Sequence, residues 1–479
     1  MPGVVAFGAY VPYHRLQRSA IGAVLGEGGG KGSRAVASYD EDATSMGVEA
    51  ARLLRRSRPE APAPQRVYFA TASPPYLDKT NANVIHAALD LDPGALTVDM
   101  MGGVRSGVGA LLTAAEAPVP TLAVLSDLRS GLPGGADERD GGDGAAAFLF
   151  GPGDGSAPVL AEIIGFSSAT DEFMDRWRVP GSDTSKVWEE RFGEHVYGPL
   201  ADAAFADALK QCSLAPTDVD HLIAAGLHGR AVKRFAGSCG VRPEALAGDR
   251  AAEIGNAGVA QPGIVLADVL ERAAPGQTIA LAVLADGATV IVLRTTEALA
   301  EWRSSRTVAA QIAAGRDDLR YATFLSWRGQ LTKEPPRRPD PDPVAAPPSH
   351  RSNHYKFGFV GSRCEACSTV HLPPVRVCIG CGTADRMVDA PMAETGAKVA
   401  TYTIDRLAFS PSPPVVAAVV DFDGGGRFKC QMTDVDPQAV AIGDRLEMTF
   451  RRLITANGVH NYFWKARPAF AVPTTPQEG

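Results

Sequence analysis

The sequence predicts an α/β protein built from two related halves and followed by a cysteine-bearing, β-rich tail. Three observations carry this reading. Residues 1 to about 297 alternate short apolar runs with helical patterns, the mark of stacked α/β layers. The order of those elements repeats once. Four of the seven cysteines, Cys364, Cys367, Cys378 and Cys381, fall within 18 residues, and the other three are scattered.

In chain order, Val67–Ala70, Thr121–Leu125 and Ala145–Phe150 read as buried strands of the first half. Leu222–Ala225, Thr278–Leu284 and Val290–Leu293 do the same in the second. Helical patterns cover Ala43–Arg56, Ala82–Leu89, Gly107–Ala115, Pro199–Leu214 and Ile264–Arg272. Each half closes on a pair of strands, 122–126 with 144–150 and 279–284 with 287–293. Residues 298–332 are polar and helical. The stretch 333–350, KEPPRRPDPDPVAAPPSH, is dense in proline and reads as a stiff extended connector. Short strands follow at Lys398–Thr403, Pro414–Asp421, Arg427–Gln431, Arg445–Phe450 and Tyr462–Lys465, a pattern suited to a small barrel. The expected boundaries are 1–165 and 166–297 for the two halves, 298–350 for the helical segment and linker, 351–395 for the cysteine cluster and 396–479 for the barrel.

Length and composition set the outer limits. A chain of 479 residues holds about three units at roughly 150 residues each. Hydrophobic residues make up 45% and charged residues 21%, ordinary for a globular protein. With 47 Lys+Arg against 54 Asp+Glu and a net charge of −7, no basic footprint for nucleic acid exists. No apolar run reaches the roughly 18 residues of a membrane span, and residues 1–15 lack a signal-peptide pattern. A cytoplasmic protein with neither nucleic-acid nor membrane partners is expected.

The strongest local signal is the cysteine cluster. Cys364-Glu-Ala-Cys367 and Cys378-Ile-Gly-Cys381 are two C-x-x-C pairs with ten residues between them. Each pair puts two thiolates on one knuckle, and two knuckles complete a tetrahedral set for structural Zn2+. Gly361, Gly380 and Gly382 supply sharp turns. With four protein ligands the site is closed and not catalytic. His371, between the pairs, is expected at the surface.

Several stretches make the chain recognisable. Residues 3–12 (GVVAFGAYVP), 40–43 (DEDA), 72–76 (ASPPY) with Lys79, 142–146 (GDGAA) and 255–258 (GNAG) resemble hydroxymethylglutaryl-CoA synthase of the archaeal type, within the thiolase superfamily. Phe357–Cys381 and residues 462–468 (YFWKARP) resemble the small zinc-ribbon/OB-fold proteins that accompany such enzymes. The resemblance implies a duplicated thiolase fold with five layers, αβαβα, followed by a zinc ribbon and a small β-barrel of OB type. It also implies a homodimer, an acyl-CoA pocket between the halves and coenzyme A as part of the substrate. Aromatic residues of the tail, such as Phe359, Phe428 and Trp464, are expected to fill the barrel core rather than stack bases.

Family catalysis uses a nucleophilic Cys at a helix N-terminus, a His, an Asn and a Glu. The resemblance sets Val104 at the Cys position, and no Cys occurs between Met1 and Gln211. Valine cannot form an acyl-enzyme. The Glu position falls at Ala72. His228 and Asn256 match the family His and Asn, a pair able to form an oxyanion hole for a thioester carbonyl. Cys212 and Cys239 are expected to be inert packing thiols. Without a nucleophile, the step that survives is aldol addition or its reverse, cleavage of a 3-hydroxyacyl-CoA. Aldolases of sterol side-chain breakdown resemble this case. The chain is therefore expected to be a lyase of aldolase type. A Cys-independent acyltransferase and a non-catalytic acyl-CoA-binding scaffold are the alternatives.

The general base is sought first at Tyr76, then at Tyr197, with Asp78, Glu190 and Glu194 as further candidates. Arg105 is a candidate for a CoA phosphate or a substrate carboxylate, or for packing at a subunit contact. Arg230, Lys233 and Arg234 form a basic helical face after His228, suited to a CoA phosphate or simply solvated.

Overall fold

The computed structural model describes residues 3–470 except 27, 154, 156 and 335–341. The chain forms two compact units. The first holds residues 1–38, 42–86 and 91–330, and the second holds residues 39–41, 87–90 and 331–479.

The first unit begins with β1 (Gly3–Tyr10), the ribbon of β2 (His14–Gln17) and β3 (Ser33–Val36) around α1 (Arg18–Leu25), and then α2 (Ala43–Ser57). Next come β4 (Arg66–Thr71), α3 (Ala82–Ala88), β5 (Leu96–Met101), α4 (Arg105–Ala115), β6 (Thr121–Leu128), α5 (Ala136–Asp140) and β7 (Asp143–Gly151). The second half runs through β8 (Ala161–Ala169), the small pair β9 (Arg176–Trp177) and β10 (Lys186–Val187), α6 (Glu190–Gln211), β11 (His221–Gly226), α7 (Gly229–Ser238), α8 (Ala251–Ile254) and α9 (Gln261–Leu270). It closes on β12 (Thr278–Leu284), β13 (Ala288–Thr295), α10 (Val308–Ala313) and α11 (Tyr321–Trp327).

Strand pairing shows the duplication that the sequence suggested. In the first half β4 runs parallel to β6, β6 antiparallel to β7, and β7 antiparallel to β1. In the second, β11 runs parallel to β12, β12 antiparallel to β13, and β13 antiparallel to β8. Among the described residues, the two sheets join only where Gly3 and Val4 of β1 meet Glu162 and Ala161 of β8. Apolar strands buried on both faces fit such a design.

Helices cover and separate these sheets. α2 packs on β1, β6 and β7, and α6 packs on β8, β12 and β13. α4 touches β4, β5 and β6 but also β12, while α9 touches β1 and β7 but also β11 and β12. These two helices therefore form the middle of five layers. All ten residues of α9 are buried, as a helix with sheet on both sides requires. α2 starts at a capping box: Asp42 Oδ1 accepts from Ser45 N at 2.9 Å and Ser45 Oγ accepts from Asp42 N at 2.9 Å, satisfying two end donors reciprocally.

Two expectations change. α6 begins at Glu190 and runs through Pro199, although the proline was read as a helix start. The helix forgoes the bond Pro199 cannot donate and so carries residues 190–198 over the site. The proline-rich connector is not wholly extended either. Ala346–Arg351 form a short helix, α12, with proline in its first turn, where no backbone N–H is needed. Residues 335–341 of that connector lie outside the described residues.

In the second unit α13 (Asn353–Gly358) leads into the three-stranded ribbon of β14 (Val360–Cys364), β15 (Val370–His371) and β16 (Met387–Pro391). The barrel strands are β17 (Ala397–Asp405), β18 (Val415–Phe422), β19 (Arg427–Gln431), β20 (Arg445–Ala456) and β21 (Val459–Pro468), in the order β19-β18-β17-β20-β21. Phe359 stacks with Trp464 at 5.5 Å and meets Phe428 edge-on at 5.2 Å. These aromatics are core.

Candidate active site

The end of β11 sets the first catalytic candidate. His228 follows it as the capping residue of α7, and its Nδ1 accepts from Ala231 N at 3.1 Å. An accepting Nδ1 carries no proton, so in the neutral ring Nε2 is the donor. The imidazole is 7% exposed. Its Nε2 lies against Gly193 of α6, where an added Cβ would stand 2.8 Å from Nε2 and 3.1 Å from Asp175 Oδ1. Glycine at 193 is what lets α6 press the buried Asp175 and His228 together.

Asn256, in the turn that follows α8, reaches the end of the same strand. Its Nδ2 donates to Gly226 O at 2.9 Å and its Oδ1 accepts from Gly258 N at 3.0 Å. One amide N–H is then left for a ligand. Gly255, at φ 74, makes the turn that presents it. His228 and Asn256 are thus fixed to one strand end, one covalently two residues beyond Gly226 and one by a hydrogen bond to it.

Val104 caps α4 in helical conformation (φ −57, ψ −32) and is 5% exposed. Facing the start of that helix is the tight turn between β12 and β13. Asp286 Oδ2 stands 3.3 Å from where a Cβ on Gly103 would be. Arg105 does not reach outward: its guanidinium bonds to the Asp286 carbonyl and to Thr170 Oγ1 at 2.6 Å. It pins the turn to α4.

Tyr197 lies one turn beyond Gly193, its ring 5.7 Å from that of His228. Its hydroxyl donates to Asp175 Oδ2 at 3.2 Å and accepts from Asp286 N at 3.2 Å. Burial first, then the Asp175 charge, pushes its phenol further up, so it stays protonated. Asp286 is pushed up as well, by burial and by Asp175, with Arg105 opposing.

The hydrogen bonds that fix Tyr76 run between its backbone and Asn81, and the Lys79 ammonium stands 5.7 Å from its ring. Asp78 is exposed, Glu194 is half-buried, and the Glu190 side chain lies outside the described residues. Arg230, Lys233 and Arg234 are exposed on α7, with Arg234 also bonding Glu194 O at 3.4 Å. Cys212 and Cys239 are half-buried in the apolar cluster of α6 and α7, and burial raises both thiols.

Two residues were missed. Asp127, at the end of β6, accepts from Ser73 Oγ at 2.6 Å and from Val259 N at 3.1 Å, tying the Ala72–Ser73 loop to the loop after Asn256. Asp286 was missed because a lone Asp before a glycine reads only as a turn residue. A surface cavity of about 440 Å³ is lined by Gly248, Asp249, Arg250, Ala252, Glu253 and Arg272. It includes neither His228 nor Val104.

In the second unit the four Sγ atoms of Cys364, Cys367, Cys378 and Cys381 lie within 4.8 Å of one another. Cys364 and Cys381 are 3.7 Å apart and Cys367 and Cys378 3.5 Å. Tetrahedral Zn–S bonds of about 2.3 Å put sulfurs roughly 3.8 Å apart, so the set fits zinc. The Thr369 hydroxyl, 3.2 Å away, holds the Cys367 thiol down to about 6. His371 is buried, not at the surface, because β15 pairs it with Ser362 inside the ribbon.

Comparison with known proteins places these features. Residues 357–385 match the family model for the rubredoxin-like zinc ribbon domain of ChsH2, and 391–451 match that for its C-terminal OB-fold domain. The fold is that of the thiolase superfamily. A solved hydroxymethylglutaryl-CoA synthase complexed with CoA superposes with a TM-score of 0.58 at 19% identity, covering 68% of this chain and 89% of that one. The 3-oxoacyl-(acyl carrier protein) synthase III of Pseudomonas aeruginosa PAO1 does so at 0.54 and 20%, covering 62% and 98%. In sequence, hydroxymethylglutaryl-CoA synthase of Aeropyrum pernix is 30% identical over 346 residues, covering 69% of this chain and 94% of the relative. That of Methanopyrus kandleri is 26% identical over 348 residues, covering 69% and 97%. The chain belongs to the hydroxymethylglutaryl-CoA synthase family of condensing enzymes and carries a zinc-ribbon and OB-fold tail.

Proposed function

We propose that this protein makes or breaks a carbon–carbon bond on an acyl-CoA thioester without an acyl-enzyme, by aldol addition or retro-aldol cleavage of a 3-hydroxyacyl-CoA. The observation that carries the reading is that His228 and Asn256 are both fixed at the end of β11, in a chain that has Val104 and not a cysteine at the head of α4. His228 Nε2–H and the remaining Asn256 N–H supply two donors for a thioester oxygen. Such donors stabilise the charge that gathers there when C2 becomes an enolate. Acyl transfer to Val104 is chemically impossible, and Cys212 and Cys239 sit in a packed cluster. A scaffold would have no need of a histidine held in one tautomer by α7.

Coenzyme A as the substrate's handle is supported by two solved fold neighbours, one complexed with CoA and one with 3-hydroxy-3-methylglutaryl coenzyme A. Arg230, Lys233 and Arg234, exposed beside His228, are the cations proposed for its phosphates. Zinc is proposed as structural, held by the four cysteines. A homodimer is proposed through β5, which ends its sheet with Leu96 52% and Met101 40% exposed, an open edge of the kind that pairs.

The test is cleavage of a panel of 3-hydroxyacyl-CoA esters, followed by mass spectrometry of the shorter acyl-CoA. His228→Ala should lower turnover by about 100-fold or more, the range for removing an oxyanion donor, with the melting temperature preserved. Unchanged turnover in a folded His228→Ala protein removes the histidine from the mechanism.

A further inference from the structure

The proposed reaction needs a base, and the two tyrosines read from sequence supply none that the site holds ready. We propose that Asp286 is the catalytic acid–base, carrying one proton between the 3-hydroxyl oxygen and C2 of the thioester. The assignment rests on the function proposed above.

Position is the first ground. The Asp286 carboxylate faces Gly103 at the head of α4, 3.3 Å from the place of a Cβ there, next to Val104. Its own backbone N–H binds the Tyr197 hydroxyl, and Tyr197 packs against His228. The turn is therefore locked to both sides of the reaction centre, with Arg105 as a second tie.

Availability is the second ground. Asp286 is exposed, and among the described residues no donor occupies its carboxylate. The neighbouring carboxylates are already engaged: Asp127 by Ser73 and Val259 N, and Asp175 by Tyr197. The groups that face Asp286 are Asp175, Glu172, Arg105 and Tyr197. Although the residue is open to solvent, partial desolvation of the carboxyl by its neighbours raises it most, Asp175 and Glu172 raise it further, and Arg105 lowers it. A carboxyl moved toward neutrality can both take a proton and return it.

The step balances without a cofactor. Asp286 takes the proton from O3, the C2–C3 bond breaks, and O3 becomes the carbonyl oxygen of a ketone or aldehyde. The electron pair passes to C2 and the thioester oxygen, where His228 and Asn256 donate. Asp286 then gives the proton to C2, leaving the shorter acyl-CoA. Condensation runs the same path backwards.

The experiment uses the full chain with acetyl-CoA and propionyl-CoA in D2O. Hydrogen exchange at C2 is read by mass spectrometry, and ester binding by calorimetry. Asp286→Asn keeps the turn, since Asn also accepts a positive φ. It should lower exchange by about 100-fold or more while ester affinity and melting temperature hold. Wild-type exchange should rise with pH as Asp286 ionises, and that rise should vanish in the variant. If Asp286→Asn exchanges at the wild-type rate while His228→Ala does not, Asp286 is not the base and the enolate reading stands. If the wild type binds the esters but exchanges at no pH, the function and this assignment both fall.

Discussion

At the scale of single residues, the site is a matter of which atoms are committed. His228 gives Nδ1 to α7 and turns Nε2 toward Gly193 of α6; Asn256 gives its oxygen to Gly258 N and one N–H to Gly226 O. Val104 offers only methyl groups at a helix N-terminus, where a thiol would be held as a thiolate. Restoring that thiol is a direct check. After incubation with acetyl-CoA, Val104→Cys should gain one acetyl group by intact mass, and wild type should gain none. A folded Val104→Cys that stays unmodified would mean the α4 terminus does not face the thioester. Residue patterns showed His228, Asn256 and the four cysteines because each belongs to a motif or follows a strand. Asp286 and Asp175 belong to no motif. Their roles arise from turns and helices that meet only in the folded chain, and no spacing announces that.

At the scale of elements, the strands were legible because apolar runs buried on both faces leave no alternative. β12 and β13 lie where the runs placed them. β1 and β8 carry more glycine and polar residues and needed their partners to show. α6 was cut short because Pro199 argued locally for a helix start, whereas packing on β8 and β13 keeps the helix going. The closing helix α11 is held by buried charge as well as by the apolar packing of Tyr321 and Phe324 on Leu16, Ile21 and Val36. Asp143, wholly buried, accepts from Ala37 N at 2.7 Å, Arg129 N at 2.8 Å and the guanidinium of Arg328, which follows α11. Tyr321 of α11 donates to Glu138 at 2.9 Å. The stretch 142–146, part of the family likeness, is in this respect a structural tie.

At the scale of the whole molecule, the chain joins a duplicated thiolase fold to a tail with a four-cysteine cluster, and the two should respond differently to loss of the metal proposed there. Structural zinc contributes apparent binding of roughly 10–16 kcal/mol in small domains, more than a ribbon of three short strands can replace. Chelation should therefore abolish amide protection over residues 357–391 while β4, β6, β11 and β12 keep theirs, as read by hydrogen exchange. Equal loss in both would mean the first unit does not fold independently of the ribbon. Among the described residues no helix is long and apolar enough to cross a membrane. The mechanism turns on where the thioester lies, and a crystal structure of the protein soaked with acetyl-CoA locates it. The protein should be unmodified, with the thioester oxygen about 2.7–3.1 Å from His228 Nε2 and Asn256 Nδ2, and C2 facing Asp286. A carbonyl turned away from His228, or a pocket without CoA at saturating concentration, would contradict it.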